Sequence, residues 1–199
     1  MTTRKSDMKL ERLAAAWLDV HFWKPVFGEK FKRWDDRSHQ LNGVDLELKG
    51  NNGPVYFDEK LKVKRCLNDI QQNVGFEMSL IMYGQLRGGW FGGDWAMTDW
   101  YATIGLSATV QDHTQLTDVS QITGADVLWT SKKALTEWVE ARGQTVEQLM
   151  KRCDELREAY DEGDMTTRVK FPHGDFWLTF SPALDEMPIN IVVPRQTLE

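Results

Sequence analysis

Asp45, Asp58 and Lys60 are the residues whose types and spacing suit chemistry. Val44, Leu46 and Leu48 alternate with Asp45, Glu47 and Lys49, the period of two that a half-buried strand imposes. Asn51-Asn52-Gly53-Pro54 is turn chemistry. A second strand is expected from Val55 to about Val63. Its alternation puts Phe57, Glu59, Leu61 and Val63 on one face and Tyr56, Asp58, Lys60 and Lys62 on the other. Asp58 and Lys60 then project side by side, with Asp45 opposite. Two carboxylates and an ammonium on one patch of sheet suit metal-assisted hydrolysis of a phosphodiester. Mg²⁺ takes oxygen ligands, keeps several waters and needs only one or two carboxylates. It polarises a phosphoryl oxygen and acidifies a bound water. A Lys two residues after a ligand can hold the attacking water or neutralise charge building on the phosphate. The bland alternative is a surface hairpin with solvated alternating charges.

The elements that must position these groups read as follows. Residues 7–23 form a helix capped by Asp7, with Leu10, Leu13, Ala14, Trp17, Leu18 and His21 on one face. Pro25 ends or redirects it. Residues 28–42 are a charged connector holding Lys30, Lys32, Arg33 and Arg37, which either meet phosphates or are simply solvated. His39 is a loop residue there, and Gln40 stands where it can shape the rim of the site. Lys62 shares the Asp58/Lys60 face and Lys64 continues it, placing positive charge where a polyanion would lie. Residues 74–83 are a buried strand. A carboxylate in so apolar a run is costly unless paired or bound to a cation, so Glu77 is either a third ligand or a Glu satisfied by a neighbouring Lys or amide. The segment from Gly84 to Thr98 is a Gly- and Trp-rich loop in which Trp90 and Trp95 either stack on bases or cover the adjacent core. Strands are expected at 99–108 and 125–130, then helices from Ser131 to about Arg142 and from Thr145 to about Glu162. Three more strands follow, at 166–171, 176–180 and 189–193, making a mixed α/β chain with a central sheet.

The 199 residues suffice for one domain with a sizeable core, with hydrophobic residues at 41% and charged residues at 27%. No apolar run approaches a membrane span, and the polar start of the chain has no signal-peptide core. We expect a cytoplasmic, intracellular protein with no membrane partner. Two cysteines, Cys66 and Cys153, imply neither a zinc site nor a disulfide framework. A net charge of −6 argues against nucleic-acid binding through bulk charge and leaves that task to a local basic groove.

At these residues the chain resembles the PD-(D/E)XK, restriction-endonuclease-like, nuclease superfamily. Asp45 matches the first acidic position, and Asp58-Glu59-Lys60 matches the (D/E)-x-K element. The order Gln40, Gly43-Val44-Asp45, Asp58-Glu59-Lys60, Phe76-Glu77, with Gly88-Gly89-Trp90-Phe91 behind it, looks like an uncharacterised bacterial and phage branch. The resemblance covers about residues 8–107, and no Pro precedes Asp45, where the name-giving pattern has one. It implies a single nuclease-like domain with a core at about 8–107 and an α+β extension at about 125–199. It also implies Mg²⁺ or Mn²⁺ held by Asp45, Asp58 and the Glu59 carbonyl, with Lys60 and Glu77 completing the catalytic set. An acidic residue of the first helix sometimes joins such sites, which points to Glu11. The substrate implied is nucleic acid, DNA before RNA, cut by water to leave a 5′-phosphate. The alternative is a non-catalytic nuclease-like protein that binds a protein partner, or a second copy of itself, in conflict between phage and host. A third reading is a small-ligand binder using the Trp-rich loop.

Overall fold

The computed structural model describes residues 4–61, 67–94, 96–171 and 175–199. Lys62, Lys64, Cys66 and Trp95, named above, lie outside them. The chain divides into two compact units that alternate along the sequence: residues 1–71 with 99–130, and 72–98 with 131–199. Residues 72–98, expected within the motif-bearing core, thus belong with the C-terminal elements.

In the first unit, α1 (Arg4–Leu18) passes through a π turn (Asp19–Trp23) into α2 (Lys24–Phe27). Of the two roles the sequence allowed Pro25, ending or redirecting the helix, it does not end it. A proline lacks an N–H and crowds the carbonyl four residues back. The wider π turn ahead of it absorbs the misfit, with the Lys24 N–H bonding five residues back to Asp19 O. The charged connector contains two short elements, β1 (Phe31–Arg33) and α3 (Arg37–Leu41), so His39 is helical rather than in a loop. Gly43 takes a φ of 71° and turns the chain out of α3.

The hairpin follows as expected: β2 (Leu46–Gly50) and β3 (Gly53–Leu61) pair antiparallel from Gly50↔Gly53 to Leu46↔Phe57 around the turn Asn51-Asn52. After the excursion through the second unit come β6 (Trp100–Ala108) and β7 (Ile122–Ser131). The mixed sheet has the order β1-β2-β3-β6-β7. β1 is antiparallel to β2, and β6 is parallel to β3. Alternation sorts its faces. Leu46, Leu48, Phe57, Ala102, Ile104 and Leu106 form a buried core with Leu10, Ala14, Leu18 and Trp23 of the helical layer. Asp45, Asp58, Lys60 and Thr103 take the other face.

The second unit holds β4 (Asn73–Met82), β5 (Gln85–Gly88), α4 (Lys132–Glu140), α5 (Val146–Asp161), β8 (Arg168–Lys170), β9 (Trp177–Phe180) and β10 (Ile189–Pro194). Its sheet is antiparallel in the order β5-β4-β10-β9-β8. The segment expected as a loop after residue 83 thus contains a strand, turned back at Tyr83-Gly84. Ser131 caps α4 and a full capping box of Thr145 and Gln148 starts α5, at the two positions where the sequence begins these helices. Arg157 of α5 donates to Ser79 O and Oγ on β4. Among the described residues, no helix is long and apolar enough to cross a membrane.

Candidate functional site

The hairpin register ends at Leu46↔Phe57. The Asp45 N–H also turns to Phe57 O, at 2.9 Å, a bulge-like bond rather than a further rung, and the Asp45 carboxyl lies beside the Asp58 carboxyl and the Lys60 ammonium. Asp58 is 5% exposed, and its Oδ2 meets Lys60 Nζ at 2.7 Å. Asp45 Oδ2 accepts the Glu59 N–H at 2.7 Å. Burial first, then the neighbouring Asp58 charge, pushes the Asp45 carboxyl up to about 7, against the opposing pull of the Glu59 N–H and Lys60. Apposed carboxyls cannot both ionise freely, so the charge of one raises the cost of removing the proton of the other. A divalent cation can replace that proton and relieve the repulsion.

The odd-numbered peptides of β3 face β2, because Phe57 O and Glu59 N–H both bond to Asp45. The Glu59 carbonyl points the same way as its own N–H, beyond the first residue of β2. Two carboxylates and this carbonyl are an all-oxygen donor set and fit Mg²⁺ or Mn²⁺, which retain waters in the other positions. Among the described residues, no group of three or more His, Cys, Asp and Glu side chains gathers as a ligand set. Any carboxylate ligation here would therefore rest on the pair.

The Glu59 side chain goes to the opposite face and ends in a buried ion network. Arg33 Nη1 meets Glu59 Oε2 at 2.5 Å, and Arg33 Nη2 meets Asp19 Oδ1 at 2.7 Å. The Trp23 indole donates to Glu59 Oε1 at 2.8 Å. Burial raises the Glu59 pKa, and Arg33 opposes that rise. Burial alone would weaken the charge on Arg33, but its bonds to Asp19 and Glu59 outweigh it and hold the guanidinium firmly protonated. Asp19 and Trp23 are the first and last residues of the π turn, so the Pro25 misfit shapes the segment that clamps the middle residue of Asp58-Glu59-Lys60.

Beside Asp45 lies an aromatic stack. The Trp34 N–H donates to Asp45 O at 2.9 Å. Its indole stacks on His39 with centroids 3.6 Å apart, while Lys32 Nζ sits 3.2 Å from its ring centre. His39 Nδ1 is 2.6 Å from Asp36 Oδ2.

The structure thus brings Asp45, Asp58, Glu59 and Lys60 together. Glu11 is exposed on α1, whose apolar stripe packs on the face opposite the carboxylates, so it does not join them. Gln40 lies in α3. Glu77 belongs to the other unit, on β4 opposite Asn190, and its carbonyl accepts the Phe91 and Gly92 N–H groups. Trp90 is in that unit too, half-buried, with its carbonyl 3.0 Å from Lys132 Nζ. Sequence reasoning missed Asp19, Trp23, Trp34 and the Asp36–His39 pair, and it read Arg33 as a phosphate-binding or solvated cation where the structure pairs it with Asp19 and Glu59. A three-residue strand is too short to show its period. No family model, curated protein or solved structure matches the chain.

Proposed function

We propose that the chain is a Mg²⁺- or Mn²⁺-dependent nuclease whose first unit is a restriction-endonuclease-like core. The observation that carries this reading is the apposition of Asp45 and Asp58 on facing strands with Lys60 ion-paired to Asp58. The order of helix, three antiparallel strands and a strand parallel to the third supports the fold assignment. Asp45, Asp58 and the Glu59 carbonyl would hold the cation. When bound, it supplies Lewis-acid polarisation of a phosphoryl oxygen and a more acidic water. Lys60, 20% exposed at its side chain, orients the attacking water and offsets charge building on the phosphate. The Glu59 N–H orients Asp45, and the Arg33 clamp fixes that peptide. DNA, implied by the resemblance, is the first substrate to test, with RNA beside it.

Cleavage of single-stranded, duplex and supercoiled DNA and of RNA, with Mg²⁺, Mn²⁺ or EDTA, tests the reading. We expect metal-dependent cutting that falls at least 100-fold in Lys60→Ala and Asp58→Asn, the scale for loss of one transition-state stabilising group. Cutting that survives both substitutions, or none on any substrate, overturns it.

A second reading, a non-catalytic scaffold for a protein partner, is favoured by the second unit. There β5 is an edge strand, and Tyr83 and Leu86 of its hairpin are 73% and 52% exposed. An open edge with apolar side chains is a surface on which another chain can add a strand.

A further inference from the structure

Thr103 stands in the same rung of the sheet as Lys60, on the parallel neighbour β6. Its flanking residues Ala102 and Ile104 pack into the core with α1. By alternation the Thr103 side chain therefore projects on the Asp58/Lys60 face. It is 3% exposed, and its Oγ1 is fully buried without a hydrogen-bond partner among the described residues. That hydroxyl is a cost to the fold. Valine has the same shape, the same branching at Cβ and the same liking for strands, and it would fill the position without leaving a polar atom unsatisfied. A buried hydroxyl kept without a partner, next to a lysine on the polar face, is explained if its partner arrives with the substrate.

We infer that Thr103 Oγ1 is a substrate-binding group that donates a hydrogen bond to a non-bridging oxygen of the scissile phosphodiester, beside the Lys60 ammonium. This inference rests on the nuclease reading and extends its site across one more strand. A hydroxyl is suited to the task. It is neutral, so it adds no repulsion to the ammonium. Strand β6 fixes its place beside Lys60, and the groups that cover the hydroxyl must move aside for a phosphate oxygen to reach it. Donation to an oxygen whose charge grows in the transition state acts on kcat more than on KM.

The test compares the wild type with Thr103→Val, Thr103→Ser and Lys60→Ala, measuring both Mn²⁺-dependent cleavage and thermal melting of the full chain. We expect Thr103→Val to lower kcat by roughly 10- to 100-fold, the effect of one lost donor, while its melting midpoint stays level or rises. Thr103→Ser, which keeps the hydroxyl, restores most of the rate. A purely structural role predicts the reverse pattern, with a lowered midpoint and a normal rate in the folded fraction, and that result overturns the assignment. Wild-type cleavage by Thr103→Val alongside an inactive Lys60→Ala overturns it too and leaves the nuclease reading standing. A wild type that cuts no nucleic acid overturns both.

Discussion

Asp45 has an ordinary carboxyl on a strand end, yet burial and the Asp58 charge move its pKa to about 7. The unfolded chain would titrate it near the ordinary aspartate value of 3.8. A carboxyl raised on folding contributes stability that is complete below the unfolded value and is lost as pH rises through the folded one. Without metal, the protein should therefore lose stability between about pH 4 and pH 8 at this group. The loss is roughly 4 kcal/mol at most, from about 1.4 kcal/mol per pKa unit, and less because Asp45 keeps some contact with water. Asp45→Asn keeps an oxygen for the Glu59 N–H and removes the charge. Its melting midpoint in EDTA, relative to wild type, should climb as pH rises from 5 to 8. A constant difference across that range would show that Asp45 does not carry the strain. The pairing of Asp45 with Asp58 and Lys60 was legible in the sequence, because strand period and hairpin register are local. The 33–19–59 ion network was not. Its members lie 14 and 26 residues apart, and nothing local says which charge turns inward.

At the scale of elements, β3 carries chemistry on one face and an anchor on the other. Glu59 faces the helical layer, where a carboxylate is admitted only because Arg33 and Trp23 receive it. Removing Arg33 leaves two carboxylates facing each other without a cation. Arg33→Met should cost about 3 kcal/mol in urea unfolding, the scale for a broken buried pair. Adding Glu59→Gln should return part of that loss, because one stranded charge is then gone. If Arg33→Met unfolds at the wild-type urea concentration, the clamp is ornamental and the Glu59 peptide is held by the sheet alone. Elements with strong local signals were legible: the alternating hairpin, the Ser131 cap and the Thr145 capping box. Pro25 left open whether the helix ends or is redirected, because its rule concerns the α-helix and the chain meets it with a π turn. β1 was missed because three residues show no period.

At the scale of the molecule, the order of residues along the chain is not their order in space. β3 and its parallel neighbour β6 are separated by β4 and β5, which belong to the other unit's sheet. Local pattern finds β3, β4 and β6 but cannot say which sheet each joins. That is why Glu77, eleven places before the glycine pair Gly88-Gly89 of the same motif run, reads as a candidate third ligand, while its strand pairs in the other unit's sheet, with Glu77 opposite Asn190. The interleaving also has a consequence for dissection. Cutting after residue 130 retains every residue of the first unit, but it leaves β4 without β10, its antiparallel partner from Asn73 to Ser79. A strand as apolar as Val74-Gly75-Phe76-Glu77-Met78, stripped of its neighbour and of the helices in its own unit, exposes a sticky edge. The fragment 1–130 should therefore aggregate or bind a hydrophobic dye such as ANS. Replacing residues 72–98 by a short flexible linker in that fragment should restore a cooperative melt, because the first unit's sheet and helical layer are then all that remains. Cooperative melting of the unmodified 1–130 fragment would show that β4 needs no partner. Failure of the linker version would show that the first unit does not fold without the second.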